Sequence, residues 1–87
     1  MIWVMLPAFN EETDLPKLLE KLEKNLSSTD YRLVVINDGS TDRTNEILNE
    51  FKDRLNLDVV IHPINRGLGE TERDGFEYIA WKAGRDD

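Results

Sequence analysis

Residues 31–42 read YRLVVINDGSTD, and this stretch decides the fold. Its first half is near-continuous in apolar residues, which is typical of a strand covered on both faces of a sheet. The Asp-Gly pair that follows is a strong turn signal, and Ser40 or Thr41 can cap a helix that has Asp42 in its first turn. The stretch therefore predicts a buried strand that turns sharply into a helix.

Two more strands are predicted on either side of this stretch. IWVML, residues 2–6, has the composition of a buried strand, and Pro7 is expected to end it because proline has no N–H for the ladder. LDVVIH, residues 57–62, is rich in β-branched residues and predicts a third strand. His62, the only histidine, is expected to play a structural rather than a catalytic part.

Each predicted strand is followed by a stretch with helical periodicity. Thr13 or Asp14 is expected to cap the first helix, and Gly84 to stop the third, which is predicted over residues 70–84. Asp86 and Asp87 then form a solvated end. The apolar faces comprise Leu15, Leu18, Leu19, Leu22 and Leu26 in the first helix, Ile47, Leu48, Phe51 and Leu55 in the second, and Phe76, Ile79, Ala80 and Ala83 in the third.

The order β-α-β-α-β-α predicts an α/β fold with a Rossmann-like, three-layer parallel sheet. In such sheets ligands bind beyond the carboxyl ends of the strands. Three loops lie there: PAFNEE (residues 7–12), NDGSTD (37–42) and PINRGLG (63–69). The chain stops where a fourth strand should begin. We therefore expect residues 1–87 to form one partial domain, with an open sheet edge suited to self-association.

Composition excludes several classes of function. The chain has 18 acidic and 11 basic residues, a net charge of −7, so no nucleic-acid partner is expected. It has no cysteine, which excludes disulfides, thiolate metal sites and cysteine nucleophiles. No stretch has the pattern of a signal peptide or is long enough to span a bilayer, so a cytoplasmic location is expected.

Each loop has an ordinary interpretation beside a functional one. Asp38 could simply end a strand, or its carboxylate could accept an N–H from a base, with Gly39 leaving room for a flat ligand. Asn10 and Glu11 could start a helix, or Pro7, Ala8 and Phe9 could form a wall for a planar base while Glu11 reaches a ribose. Residues 66–69 could be a plain turn, or Gly67 and Gly69 could admit a phosphate at a helix N-terminus with Arg66 supplying positive charge.

Taken together, the three loops are more specific. LPAFNEE, VVINDGSTDRT followed by EIL, and NRGLG with Gly75 eight residues after Gly67 resemble the N-terminal part of family 2 glycosyltransferases, in particular the polyprenyl- and dolichyl-phosphate glycosyltransferases. The resemblance covers nearly the whole chain, in order and at the usual spacings.

The resemblance implies a GT-A fold that binds a nucleotide-sugar donor, UDP- or GDP-linked. It implies that Pro7, Ala8, Phe9 and Glu11 line the nucleoside, that Asp38 contacts the base, and that Arg66 and Gly67 lie toward the diphosphate. Members of the family transfer the sugar with inversion to a lipid-phosphate or saccharide acceptor, with Mg²⁺ or Mn²⁺ on the diphosphate.

The sequence departs from the family pattern at several places. Asn37 stands where an Asp is common, and residues 70–72 are bulkier and more charged than usual. The family's metal-binding Asp-x-Asp and its catalytic base follow a fourth strand, so neither metal ligands nor catalytic residues are expected in this chain. Contact with a membrane is expected only through regions outside it or a lipid-linked acceptor. The alternatives are a non-catalytic nucleotide-binding or regulatory module and a structural domain without a ligand.

Overall fold

The computed structural model describes residues 1–86, with side chains as far as residue 84, so the predicted solvated end at Asp86 and Asp87 lies outside the described residues. Strands and helices alternate as predicted. The elements are β1 (Ile2–Ala8), α1 (Leu15–Asn25), β2 (Tyr31–Asp38), α2 (Thr44–Phe51), β3 (Leu57–His62) and α3 (Leu68–Asp86). The predicted bounds of the third strand are confirmed.

The strands form one parallel sheet in the order β1-β2-β3. Met5 lies beside Val34, which lies beside Asp58, so these three positions share one face of the sheet. Because all strands run in the same direction, their carboxyl ends meet at one edge. The loops that follow β1, β2 and β3 therefore lie side by side there, as the sequence predicts.

α1 and α2 cover one face of the sheet. The buried residues of this layer are Ala8, Leu15, Leu19, Tyr31, Leu33, Val35, Leu48, Phe51, Leu55 and Leu57. Leu22, Leu26 and Ile47 pack against them, so most of the predicted apolar face of α1 is confirmed. Leu18 is the exception, because its side chain is exposed.

α3 covers the opposite face and approaches it closely at Gly75. A Cβ atom at Gly75 would lie 2.3 Å from Met5 Sδ and 2.8 Å from Ile36 Cδ1, so a larger residue would force these two side chains to shift. The predicted apolar face of α3 is wrong at Phe76 and Ala80, which are exposed. Gly75 faces the sheet, and the next position lies about 100° around the helix.

Predicted boundaries are also wrong at the end of the first strand and at both ends of the third helix, which begins at Leu68 rather than at residue 70. β1 continues through Pro7 to Ala8. A proline is tolerated there because β1 is an edge strand among the described residues, and one side of it has no neighbouring strand to bond. α3 continues past Gly84, which lacks the positive φ of a helix-stopping glycine. Every helix within residues 1–86 is too short or too polar for a transmembrane span.

Candidate functional site

The β1–α1 loop is hydrogen-bonded to the β2–α2 loop. The backbone N–H of Asn10 donates to Ser40 Oγ at 3.0 Å, and the N–H of Thr41 donates to Asn10 Oδ1 at 2.8 Å. Asn10 has a φ of 51°, in the left-handed region where asparagine is enriched. Asn10 donates one bond from its backbone and accepts the other with its side chain, so together they fix the position of Asn10 and of the neighbouring Phe9.

The same two loops are joined again at the start of α2. The N–H of Glu11 donates to Thr44 Oγ1 at 2.9 Å, and the N–H of Glu12 donates to Asp42 Oδ2 at 3.2 Å. Asp42 Oδ1 also accepts from the backbone N–H of Thr44 at 2.9 Å. We call residues 9–14 and 39–44 the first wall. The sequence predicts only turn and cap chemistry for residues 40–42. In the fold Arg43, not Ser40 or Thr41, is the N-cap residue of α2, and residues 40–42 hold the first loop.

Burial raises the pKa of Asp42, but hydrogen bonds from Thr44 and from the Glu12 N–H outweigh this effect and lower the pKa below its ordinary value of 3.8. Asp42 therefore stays ionised at neutral pH, and its two oxygens remain acceptors for both loops.

Asp38 ends β2 and holds the β3–α3 loop through four hydrogen bonds. Its Oδ1 lies 2.7 Å from His62 Nδ1 and accepts from the N–H of Arg66 at 2.9 Å. Its Oδ2 accepts from the N–H of Gly67 at 3.0 Å and from Asn65 Nδ2 at 3.1 Å. The Asp38 side chain is buried, so its partners are protein groups rather than water.

Burial alone would raise the pKa of Asp38. Hydrogen bonds from His62 and from the N–H groups of Arg66 and Gly67 outweigh that effect and lower the pKa below its ordinary value of 3.8. Asp38 is therefore a stable buried carboxylate at the edge of the sheet where the three loops lie side by side.

Gly39, the residue after Asp38, leaves room for the backbone of the β3–α3 loop. A Cβ atom at Gly39 would lie 2.3 Å from the backbone nitrogen of Asn65 and 2.4 Å from the carbonyl carbon of Ile64. Its φ of 71° is also a conformation that favours glycine. The interpretation that Gly39 leaves room for a flat ligand is therefore wrong, because the β3–α3 loop occupies that space.

His62 connects Asp38 to α3. Its side chain is 6% exposed, and its Nε2 lies 2.7 Å from Asp74 Oδ2, on the opposite side from Asp38. Its expected structural part is consistent with this burial between two carboxylates. We call Asp38, residues 62–67 and the first two turns of α3 (68–74) the second wall.

The Arg66 side chain lies along the outside of the second wall. Its guanidinium donates to Glu70 Oε2 at 3.3 Å and to Asp74 Oδ2 at 3.5 Å. The side chain is 47% exposed, and ion pairs of this kind in water contribute little, so a ligand could draw the guanidinium away from them.

The two walls enclose an open cavity of about 280 Å³. It is lined by Pro7, Ala8, Phe9, Glu11, Asp38, Asn65, Gly67, Leu68 and Thr71. Six of the seven residues predicted to bind a nucleotide thus lie around one cavity, and Arg66 is the exception. Sequence reasoning missed Asn65, Leu68 and Thr71, although Asn65 and Leu68 belong to the NRGLG motif and could have been found from it.

The hydrogen bonds that Asp38 already accepts limit how a base could contact it. Each oxygen of the carboxylate already has two partners, which is about its full capacity. A base N–H could therefore bind Asp38 only by replacing one of them. Asn65 is the candidate, because its amide belongs to a side chain that also lines the cavity.

The residues present do not fit a divalent metal. Among the described residues, no three His, Asp or Glu side chains lie together so as to hold a metal ion. Asp38 and Asp74 lie on opposite sides of the His62 ring, so their oxygens do not converge on one point.

Comparison with known proteins identifies the class to which this fold and site belong. The sequence profile of glycosyl transferase family 2 matches residues 3–80, and the chain belongs to that family. A dolichyl-phosphate beta-glucosyltransferase of Trichomonas vaginalis is 35% identical over 85 residues, which cover 87% of this chain and 26% of the relative. An undecaprenyl-phosphate 4-deoxy-4-formamido-L-arabinose transferase of Pseudomonas paraeruginosa is 35% identical over 72 residues, which cover 80% and 21%.

Solved structures agree with this assignment. A crystal structure of residues 1–349 of S. aureus TarS matches with a TM-score of 0.73 and 34% identity, over 82% of this chain and 22% of that fragment. A complex of the same fragment with UDP-GlcNAc matches with a TM-score of 0.68 and 34% identity, over 75% of this chain and 19% of the fragment. The chain thus spans about a quarter of the length of the relatives it matches.

Proposed function

We propose that the cavity between the two walls binds the nucleotide of a UDP- or GDP-sugar. The observation that carries the proposal is that one cavity gathers six predicted residues from all three loops. Structures of TarS with UDP and with UDP-GlcNAc, which resemble this chain, support a nucleotide-sugar as the ligand.

The cavity offers a distinct group for each part of a nucleotide. The Phe9 ring, 44% exposed, and Pro7 give an apolar surface on which a base can lie. The N–H of a uracil or guanine would replace the Asn65 amide on Asp38, and Glu11, at the rim, would accept from ribose hydroxyls. The diphosphate would lie toward Gly67 and the start of α3, where Arg66 supplies the positive charge.

The reaction of the whole protein is proposed from the family. The T. vaginalis and P. paraeruginosa relatives are named for dolichyl-phosphate and undecaprenyl-phosphate chemistry, which supports transfer of a sugar to a lipid-phosphate acceptor; a saccharide acceptor is the other candidate. We further propose transfer with inversion. A divalent metal would come from ligands outside these 87 residues, so we propose that this chain alone binds the donor without transferring its sugar.

Titration of the pure chain with UDP and with GDP, with and without Mn²⁺, tests the binding. We expect binding in the millimolar range or better, little dependence on Mn²⁺, and about a tenfold loss on Asp38→Asn. Asn65→Ala is the matched control, since it frees the Asp38 oxygen that the base would use and should not weaken binding.

The other outcomes separate the alternatives. Failure of both nucleotides to bind at millimolar concentration would reject the proposal in favour of a structural domain. Detectable sugar transfer by the pure 87-residue chain would contradict the proposed division between donor binding and catalysis. If the chain binds a nucleotide but no transferase is associated with it in the cell, a regulatory module would be favoured.

The cytoplasmic location, the lack of a nucleic-acid partner and self-association through the open sheet edge also remain proposals. Cell fractionation tests the first, and sedimentation velocity over a range of protein concentrations tests the last. A monomer at every concentration would contradict self-association.

A further inference from the structure

Both ring nitrogens of the buried His62 lie against a carboxylate. Nδ1 is 2.7 Å from Asp38 Oδ1, and Nε2 is 2.7 Å from Asp74 Oδ2. The ring therefore bridges two carboxylates that come from different elements, β2 and α3.

This bridge leads directly to the cavity. The Asp38 oxygen that meets His62 is the same oxygen that accepts from the N–H of Arg66, and the other oxygen accepts from the N–H of Gly67. The far end of the bridge, Asp74, lies on α3, one turn beyond Glu70. Asp38–His62–Asp74 thus joins the end of β2 to α3 through the end of β3 and sets the position of the loop between them.

We propose that His62 and Asp74 are positioning residues of the nucleotide cavity: the imidazole, held by Asp74, orients the Asp38 carboxylate and through it the Arg66–Gly67 turn. This proposal rests on the proposed function and concerns the same cavity. Neither residue contacts the nucleotide, since His62 and Asp74 are absent from the cavity lining.

Asp58 offers a matched control. It also lies on β3 and bridges to α3, where its Oδ2 accepts from the Tyr78 hydroxyl at 2.9 Å, and its Oδ1 pairs with Arg32 at 3.6 Å. It lies four residues before His62, toward the end of β3 away from the cavity. Asp58→Asn therefore removes the same charge and disturbs the same two elements without touching the cavity.

UDP titrations of the folded variants test the proposal. Asp74→Asn and His62→Gln should weaken UDP binding about tenfold, while Asp58→Asn should stay within about twofold of the unchanged protein. Unchanged affinity in Asp74→Asn, or equal losses in Asp74→Asn and Asp58→Asn, would overturn the proposal.

Hydrogen exchange keeps this test separate from the proposed function. The amides of Arg66 and Gly67 should be protected in the free protein and lose protection in Asp74→Asn but not in Asp58→Asn. If the unchanged protein binds neither UDP nor GDP, the proposed function fails. Hydrogen exchange alone then tests whether Asp74 positions the Arg66–Gly67 turn. Retained protection at both amides in Asp74→Asn would then overturn it.

Discussion

The first wall is built from hydroxyl, amide and carboxylate groups on two largely exposed loops, whereas the second wall centres on the side chains of Asp38 and His62, each of which is 6% exposed. Water can replace a hydrogen bond that is lost from the first wall. It cannot easily reach the second, where a lost partner leaves a buried charge unpaired. The walls serve the same cavity, but substitutions in them should have very different costs.

The largest effect is expected from Asp38→Ala. It removes the acceptor for His62, Asn65, Arg66 and Gly67 at once, so the free energy of unfolding should fall by about 3–5 kcal/mol. Urea unfolding followed by circular dichroism measures this loss, and complete loss of the transition would also agree with it. A change below about 1 kcal/mol would show that the second wall is no more costly to disturb than the first.

Gly39→Ala should come next. The added Cβ would meet the backbone of Ile64 and Asn65, and the φ of 71° disfavours alanine, so we expect a loss of about 2–3 kcal/mol. Gly84→Ala is the control, because Gly84 is helical and open to solvent; it should be neutral or stabilising by up to about 1 kcal/mol. Destabilisation by Gly84→Ala would instead restore the interpretation that this glycine stops α3.

Acid should weaken both walls. The folded protein lowers the pKa of Asp38 and of Asp42 below 3.8, so the unfolded chain takes up protons first as pH falls. Their contribution to stability is therefore complete above about pH 3.8, the pKa of the unfolded chain, and is lost as pH falls through the lowered pKa values of the folded protein. Urea midpoints at a series of pH values measure this loss, and Asp42→Asn should make the acid slope shallower. The same slope in that variant would contradict the part assigned to Asp42.

The smallest effect should be that of Asn10→Ala, in the first wall. It removes the acceptor for the Thr41 N–H and places alanine at a φ of 51°, which should cost about 1 kcal/mol. Asn10→Gly, which loses the same acceptor but adopts this φ freely, should cost less. A loss as large as that of Asp38→Ala would remove the contrast between the two walls.

Much of the fold follows from local patterns. The β-branched run of residues 57–62 predicts β3 because its apolar residues are bounded by polar ones on both sides. The alternation of strands and helices predicts a parallel sheet, and a parallel sheet brings its loops to one edge. That is why Pro7, Asp38 and Gly67 could be placed around one site from the sequence.

The errors arise where a residue's neighbours in space decide its role. Pro7 lies within β1 because no strand of the described chain pairs with its outer side, which the strand's own sequence does not reveal. Phe76 is exposed because α3 turns Gly75 toward Met5 and Ile36, so close approach rather than apolar content sets its buried face.

The sequence by itself therefore determined the order of the elements, the family and the edge at which a ligand would bind, because these depend on periodicity and turn chemistry along the chain. Only the tertiary structure decided what surrounds Asp38. Its partners come from residues 24 to 29 positions further along the chain, and no local pattern indicates that His62 stands between two carboxylates. Burial then makes those contacts decisive, because groups removed from water must find their partners within the fold.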